Sequence, residues 1–200
     1  MKINYQLELD RLIAGLEQRP SLLLHSCCGP CSSYVIEYLR QYFDLTVFYY
    51  NPNIHPQDEY EKRLNTQKQL LAAMGPEIPL LELGWDGPCF VHAAAGLEQE
   101  PEGGRRCSAC FALRLDRTAR EAAARHFDYF ATTLTVSPHK DAQRINGTGL
   151  ALAEKYGVAW LPSDFKKREG YKRSIQLSAQ YELYRQNYCG CIYSCPPQAD

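Results

Sequence analysis

The chain has 200 residues, a formal net charge of -1, 45% apolar residues and 22% charged residues. This composition is typical of a soluble globular domain, and the near-zero charge excludes a uniformly basic protein that binds nucleic acid over its whole surface. The N-terminal residues alternate charged and apolar types, and no apolar run reaches the roughly 18 residues of a membrane span. We therefore expect a cytoplasmic protein with no membrane partner.

Helical spacing and short apolar runs alternate along the chain. In chain order the sequence predicts helix 5–18, strand 22–24, helix 31–42, strand 45–50, helix 58–74, strand 78–83, a loop with a short helix at 90–97, helix 110–126, strand 129–133, helix 145–156, strand 158–161 and helix 171–185. This alternation predicts an α/β fold with a mostly parallel sheet flanked by helices. Ligands of such sheets bind at the carboxyl ends of the strands, and the turn after residue 24 is such a place.

We expect a single domain over residues 1–200, with an N-terminal helix within 1–20 and a variable tail over 192–200. The unusual feature is the presence of 9 cysteines, an odd number that fits a disulfide framework poorly. Thiols used for metal binding or redox chemistry suit a cytoplasmic protein better. Eight of them fall into three segments, which are Cys27, Cys28 and Cys31; Cys107 and Cys110; and Cys189, Cys191 and Cys195.

The first segment follows a predicted strand and leads into a helix. The strand brings Cys27 and Cys28 to a tight turn, and Cys31 lies at the predicted helix start. Gly29 allows close approach of the backbone to a bulky ligand, and Pro30 suits a first helical turn. The partial positive charge of a helix N-terminus lowers a thiol pKa and favours the thiolate that binds metals.

The second segment is a Cys-x-x-Cys pair, Cys107 and Cys110, at the start of a predicted helix. The spacing alone is ambiguous among zinc, an iron–sulfur cluster and a thioredoxin-like disulfide. The other available pair is Cys27 and Cys28, whose adjacency is awkward for one tetrahedral zinc but can serve separate irons. This favours a 4Fe–4S cluster, which takes four thiolates.

The third segment contains Cys189 and Cys191 with one glycine between them. Such a pair can close a strained disulfide, and strained disulfides tend to be catalytic or regulatory. Binding of a second metal is the alternative. Cys195, next to Pro196, is interpreted as incidental, and Cys89 as a small buried hydrophobic residue.

Nucleotide chemistry is disfavoured by the sequence. Relatives of this architecture that bind nucleotides place a Gly/Ser-rich phosphate loop after the first strand, where this chain has thiols. No G-x-G-x-x-G follows a strand either. ATP use is therefore not expected.

A family resemblance is carried by four runs: HSCCGPCSS, CSACFALRLDRTA, TTLTVSPHK and DFKKREGYKRSIQLSAQYELYRQNYCGC. Together they resemble the epoxyqueuosine reductase family QueH over about residues 22–191, although many members have Ala where this chain has Gly29. The resemblance implies a fold similar to the adenine-nucleotide alpha-hydrolase (HUP-like) class. It also implies catalysis of the last step of queuosine synthesis on tRNA, in which an epoxide is reduced to an alkene without cobalamin.

The same resemblance implies roles for six cysteines. A 4Fe–4S cluster would be held by Cys27, Cys28, Cys107 and Cys110. Cys189 and Cys191 would be either a redox-active pair that forms a disulfide or ligands of a second, mononuclear iron. An electron donor is also required and is not identified by the sequence. Cys31, Cys89 and Cys195 are then expected to be peripheral.

The partner implied is tRNA carrying epoxyqueuosine, and the densest basic run is the place expected to hold it. This run spans residues 166–173, and the predicted contacts are Lys167, Arg168, Tyr171 and Arg173. Basic side chains contact phosphates, and tyrosine stacks on splayed bases. Weaker candidates for proton donors or metal ligands are His25, His55, His139, Asp141 and Asp164.

Two rival functions follow from the same residues. One is a zinc-stabilised tRNA-binding module without catalysis, which would contain zinc and lack colour. The other is a tRNA sulfur-transfer enzyme, which needs the ATP site that the thiol-rich turn argues against.

Overall fold

The computed structural model describes residues 2–75 and 77–194. The strands are β1 (Ser21–His25), β2 (Asp44–Tyr49), β3 (Leu80–Glu82), β4 (Tyr129–Thr132) and β5 (Ala159–Trp160). They form one sheet, entirely parallel, in the order β3-β2-β1-β4-β5. The helices are α1 (Tyr5–Ala14), α2 (Gly29–Leu39), α3 (Gln57–Met74), α4 (Gly87–Ala93), α5 (Arg105–Ala124), α6 (Ala142–Tyr156) and α7 (Gly170–Gln180). The predicted α/β fold is confirmed.

The sheet separates two apolar cores because successive strand residues point to opposite faces. On β1, Leu22 and Leu24 belong to the core formed with α1, α2 and α3, whereas Leu23 belongs to the core formed with α5 and α6. All three leucines have no exposed surface. A continuous apolar run is therefore required in this strand, since helices cover both of its faces.

Several helices begin or end at other residues than the sequence predicts. The first turn of α2 includes Gly29 and Pro30, because Cys28 is extended and proline fits the first helical turn. The start of α6 at Ala142 is explained by Asp141, whose carboxylate accepts from the backbone N–H groups of residues 143 and 144. The end of α7 at Gln180 precedes Glu182, which has a positive φ of 52°.

From β1 the chain continues to β2 and β3 on one side of the sheet, and it then crosses back to add β4 and β5 on the other side of β1. The chain segments that leave β1 and β4 therefore diverge and open a crevice at the carboxyl edge of the sheet. His25 is in register with Thr132 at this edge. The turn containing the first cysteine segment thus lies beside the segment that follows β4. The arrangement is compatible with the expected HUP-like fold.

Among the described residues, no helix combines the length and apolar character that a membrane span requires. The tail predicted over 192–200 is described only as far as the short 3-10 helix Ile192–Ser194. Cys195 lies outside the described residues.

Candidate active site

A cavity of about 810 Å³ opens at the carboxyl edge of the sheet, within the range typical of ligand sites. All three cysteine segments contribute to its wall. The cysteines that line it are Cys27, Cys31, Cys107, Cys110, Cys189 and Cys191. Three segments that are far apart in sequence thus meet in one cavity, and each of them contributes cysteine side chains to its wall.

The β1–α2 turn holds three cysteines in a tight group. The Sγ atoms of Cys27, Cys28 and Cys31 all lie within 4.8 Å of one another, and those of Cys27 and Cys28 are 3.9 Å apart. Cys28 precedes the first residue of α2, and Cys31 lies in its first turn. The sequence interpretation set Cys31 aside as peripheral, whereas the structure places its thiol within ligand distance of the other two.

Hydrogen bonding gives these three thiols different pKa values. Hydrogen bonds with the thiols of Cys28 and Cys31, aided by the positive charge of Lys140 and the hydroxyl of Thr133, hold the pKa of Cys27 well below its usual value despite burial. The same bonds raise the pKa of Cys28 to about 12 and that of Cys31 well above the ordinary value. Hydrogen bonding thus favours the thiolate form at Cys27 over Cys28 and Cys31.

The first turns of α5 position Cys107 and Cys110 on one face of the helix. The backbone N–H of Gly103 donates to the Sγ atom of Cys107 over 3.2 Å. Cys110 is buried, and burial raises the pKa of its thiol. Both line the same cavity as the β1–α2 turn but lie outside its tight three-cysteine group.

The C-terminal pair, Cys189 and Cys191, is anchored on the loop that follows β2. Cys191 forms an antiparallel bridge with Ile54, and the N–H of His55 donates to the carbonyl of Gly190 over 2.9 Å. Gly190 has a positive φ of 96°, which glycine adopts without strain. Both cysteines are free thiols here, so the disulfide, one of the two alternatives given for this pair, is not formed in the structure.

The pKa values of the Cys189 and Cys191 thiols also differ. Donation by the thiol of Cys191, and by its backbone N–H over 3.4 Å, lowers the pKa of Cys189 to about 5 against the opposing effect of burial. The pKa of Cys191 is raised by the same thiol bond and by burial. Cys189 is consequently a thiolate at neutral pH, which is the form that attacks electrophiles and binds metals.

A buried ion pair supports the segment before this cysteine pair. Arg63 Nε contacts Glu59 Oε1 at 2.6 Å, and Arg63 Nη2 donates to the carbonyl of Tyr188 over 3.4 Å. The guanidinium also lies over the Tyr188 ring, 4.9 Å from its centroid. Helix α3 thereby fixes the backbone next to Cys189.

The three histidines singled out in the sequence occupy different environments. His25 is fully buried and lies outside the cavity lining; its Nε2 donates to the Tyr50 carbonyl, and its Nδ1 accepts from the Thr132 hydroxyl. Burial, and secondarily Arg114, lower its pKa to about 4, so it is neutral. His55 packs edge-on against Trp85. His139 alone among the three lines the cavity, at its exposed rim.

The two acidic candidates are engaged in other contacts. Asp141 lines the cavity and caps α6, as described above. Asp164 is buried and forms an ion pair with Lys166. Cys89 lies on α4, where its Sγ atom is 3.8 Å from the Tyr50 hydroxyl, and it does not line the cavity.

The basic run predicted to contact tRNA is engaged within the protein. Arg168 pairs with Asp10, Arg173 pairs with Glu37 at 2.6 Å, and Lys167 donates to the Asn4 side chain. Tyr171 is the one predicted contact that lines the cavity.

The cationic wall of the cavity was missed by the sequence reasoning. Six cationic and two acidic side chains line the cavity, although the whole chain has a net charge of -1. The cations are Arg63, Arg106, Arg114, Lys140, Arg144 and Arg185. They are spread over five separate regions of sequence, so no local basic run could have revealed them.

Comparison with known proteins shows the family of the chain. A family model described as "Epoxyqueuosine reductase QueH" matches residues 22–196. The chain is 46% identical to a protein of that name from Streptococcus pyogenes serotype M1, over 98% of this chain and 80% of the relative. It is 43% identical to one from Staphylococcus epidermidis, over 98% and 87%, and 35% identical to one from Thermotoga maritima, over 87% and 90%. The chain therefore belongs to the epoxyqueuosine reductase QueH family.

Proposed function

We propose that this chain reduces epoxyqueuosine to queuosine in tRNA, the last step of queuosine biosynthesis. The observation that carries the proposal is the meeting of six cysteine side chains from three segments in one cavity. The reaction consumes two electrons and two protons, converts the epoxide to an alkene and releases the oxygen as water. A site rich in thiols suits it, because both electrons and protons can be delivered there.

A 4Fe–4S cluster fits the donor set, since soft thiolate ligands select iron–sulfur clusters over oxygen-preferring cations. We propose Cys27, Cys28, Cys107 and Cys110 as its ligands. All except Cys28 line the cavity, and the Cys28 Sγ atom is in contact with that of Cys27. Cys31 has a comparable position, so it competes with these four for a ligand role. When bound, the cluster would supply electrons one at a time.

Cys189 and Cys191 are proposed as the second redox centre, either as a dithiol that can close to a disulfide or as ligands of a mononuclear iron. Their support is placement in the cavity wall and the lowered pKa of Cys189. A dithiol supplies two electrons and two protons together, which matches the stoichiometry of the reaction. The free thiols of this pair are suited both to closing a disulfide and to binding an iron.

The tRNA partner is proposed to lie across the cavity mouth. Lys140, Arg144 and Arg185 are half-buried or exposed in its wall and have no carboxylate partner within the described residues. Such cations attract phosphates. The predicted contacts Lys167, Arg168 and Arg173 remain a second proposed surface, since exposed ion pairs are weak enough to exchange for phosphate.

We further propose that the chain is one catalytic domain over residues 1–200. It works in the cytoplasm, where free thiols persist, and an electron donor outside this chain supplies the reducing equivalents. Neither a zinc-stabilised binding module nor a sulfur-transfer enzyme is favoured by the family to which the chain belongs.

The test is anaerobic purification followed by assay. We expect a brown protein containing iron and sulfide that converts epoxyqueuosine in tRNA to queuosine with a chemical reductant. A colourless protein that contains only zinc would refute the proposal. The double variant Cys189→Ser/Cys191→Ser should keep its cluster, measured by sulfide content and absorbance, and lose turnover. Unchanged turnover with an intact cluster would refute the role given to this pair.

A further inference from the structure

Arg114 lies on α5, one turn after Cys110, and only 4% of its surface is exposed. Its Nε donates to the carbonyl of Cys110 over 3.3 Å. The side chain therefore runs back along the helix toward the cysteine pair, as long helical side chains do. Arg114 also lines the cavity, together with Cys107 and Cys110 of the same helix.

Among the described residues, no carboxylate balances this buried charge. Within residues 2–75 and 77–194, no Asp or Glu forms an ion pair with Arg114, whereas the equally buried Arg63 pairs with Glu59. Arg106, the third buried arginine of the cavity, donates to the backbone carbonyls of residues 98 and 100. A buried cation without an anion is strongly unfavourable, which indicates that the anion belonging to Arg114 lies in the cavity, as a thiolate of its wall or as a group bound there.

Two kinds of anion could occupy that position, namely a phosphate of the tRNA and a thiolate-bound metal cluster. A polymer's phosphates stay at the mouth, where Lys140 and Arg185 are accessible. Arg114 is buried beside Cys110 instead. The position of Arg114 therefore favours the thiolate-bound cluster.

We propose that Arg114 is the counter-charge of the iron–sulfur cluster and raises its reduction potential. This inference rests on the proposed function, because it requires a cluster in the cavity. Each added electron increases the negative charge of the thiolate-bound centre. A fixed cation nearby stabilises the reduced form more than the oxidised one, and outer charges of this kind tune metal centres.

The experiment is a potentiometric titration of the cluster-loaded protein, followed by electron paramagnetic resonance. Three variants are compared with the parent protein: Arg114→Gln, Arg114→Lys and the control Arg117→Gln. Arg117 lies on the same helix but pairs with Glu121 and does not line the cavity. Iron and sulfide content and tRNA affinity are measured on each protein.

We expect Arg114→Gln to lower the ratio of reduced to oxidised cluster at a fixed potential by at least tenfold, which for one electron corresponds to about 59 mV. Arg114→Lys should retain most of the parent value because it keeps the charge, and Arg117→Gln should not differ. Loss of the cluster in Arg114→Gln alone would also support a counter-charge. An unchanged potential, weakened tRNA binding without a potential shift, or equal cluster loss in both Arg114 variants would overturn the inference. Absence of a cluster from the parent protein would refute the proposed function instead.

Discussion

Removal of the buried arginine beneath the C-terminal cysteine pair tests how the site is held together. Arg63 is 2% exposed, its Nε lies 2.6 Å from Glu59 Oε1, and it also donates to the Tyr188 carbonyl. The change Arg63→Met keeps much of the side-chain volume and removes the charge. The carboxylate of Glu59, itself only 12% exposed, would then retain just the hydroxyl of Tyr184 as partner.

Breaking a buried ion pair by removing one partner costs about 3–5 kcal/mol of the free energy of unfolding, because a buried charge is left uncompensated. For a chain of this size each kcal/mol corresponds to about 2–4 °C, so we expect the midpoint of thermal unfolding to fall by about 6–20 °C. The chain offers a matched control in Arg117→Met. This change breaks a pair of the same spacing with Glu121, in which Arg117 is 31% exposed, and should cost only about 0.3–0.5 kcal/mol.

The assay is thermal unfolding followed by circular dichroism, on anaerobic proteins with equal iron content. A second measurement follows alkylation of Cys189 in the metal-free proteins. Because Arg63 fixes the backbone next to Cys189, labelling should be faster in Arg63→Met and unchanged in Arg117→Met. Equal losses of stability in the two variants would show that burial does not make the Arg63 pair critical, and the reasoning would be refuted.

Two further outcomes are expected. A Cβ added at Gly149 would lie 2.3 Å from the Trp160 ring, whereas Gly147 on the same helix faces open space. Gly149→Ala should therefore lower the free energy of unfolding by about 1–3 kcal/mol through overpacking. Gly147→Ala should raise it by about 0.5–1 kcal/mol, because alanine is favoured over glycine inside a helix. Denaturant unfolding measures both changes, and a Gly149→Ala protein more stable than the parent would contradict the packing. In metal-free protein, iodoacetamide should label Cys189 before Cys191, and the rate should fall as pH drops through about 5, where the thiolate of Cys189 is protonated. Mass spectrometry after labelling over a range of pH measures this, and a midpoint near the ordinary thiol value would show that Cys191 does not stabilise the thiolate.

Much of the fold was predictable because its signals are local. The apolar runs at β1 and β2 and the helical spacing of α3 depend only on neighbouring residues, and the alternation of strands with helices predicted the parallel sheet. The boundaries of α2 and α6 were misplaced by two or three residues. Capping by Asp141 and the extended conformation of Cys28 decide those boundaries, and periodicity does not detect them.

The sequence predicted that the candidate site contains sulfur ligands, but it predicted only part of the set of residues that line the site. The cysteine segments identified the family and suggested sulfur ligands, because residue type and short spacing are sequence properties. Spacing could not place Cys31, whose side chain turns toward Cys27 because α2 begins earlier than expected. The basic run at 166–173 was conspicuous in sequence, yet its cations are largely engaged by residues from α1 and α2.

The sequence by itself determined that this protein has an α/β fold, belongs to its family and concentrates its thiols in three segments. Only the tertiary structure decided that these segments share one cavity and that the cavity wall is cationic. It also placed Arg114 beside Cys110, with no carboxylate partner in the part of the chain that the structure describes. The physical reason is that the composition of the cavity wall depends on distances across the sheet edge, between segments that are far apart in the chain. Such distances are set by the packing of the whole chain.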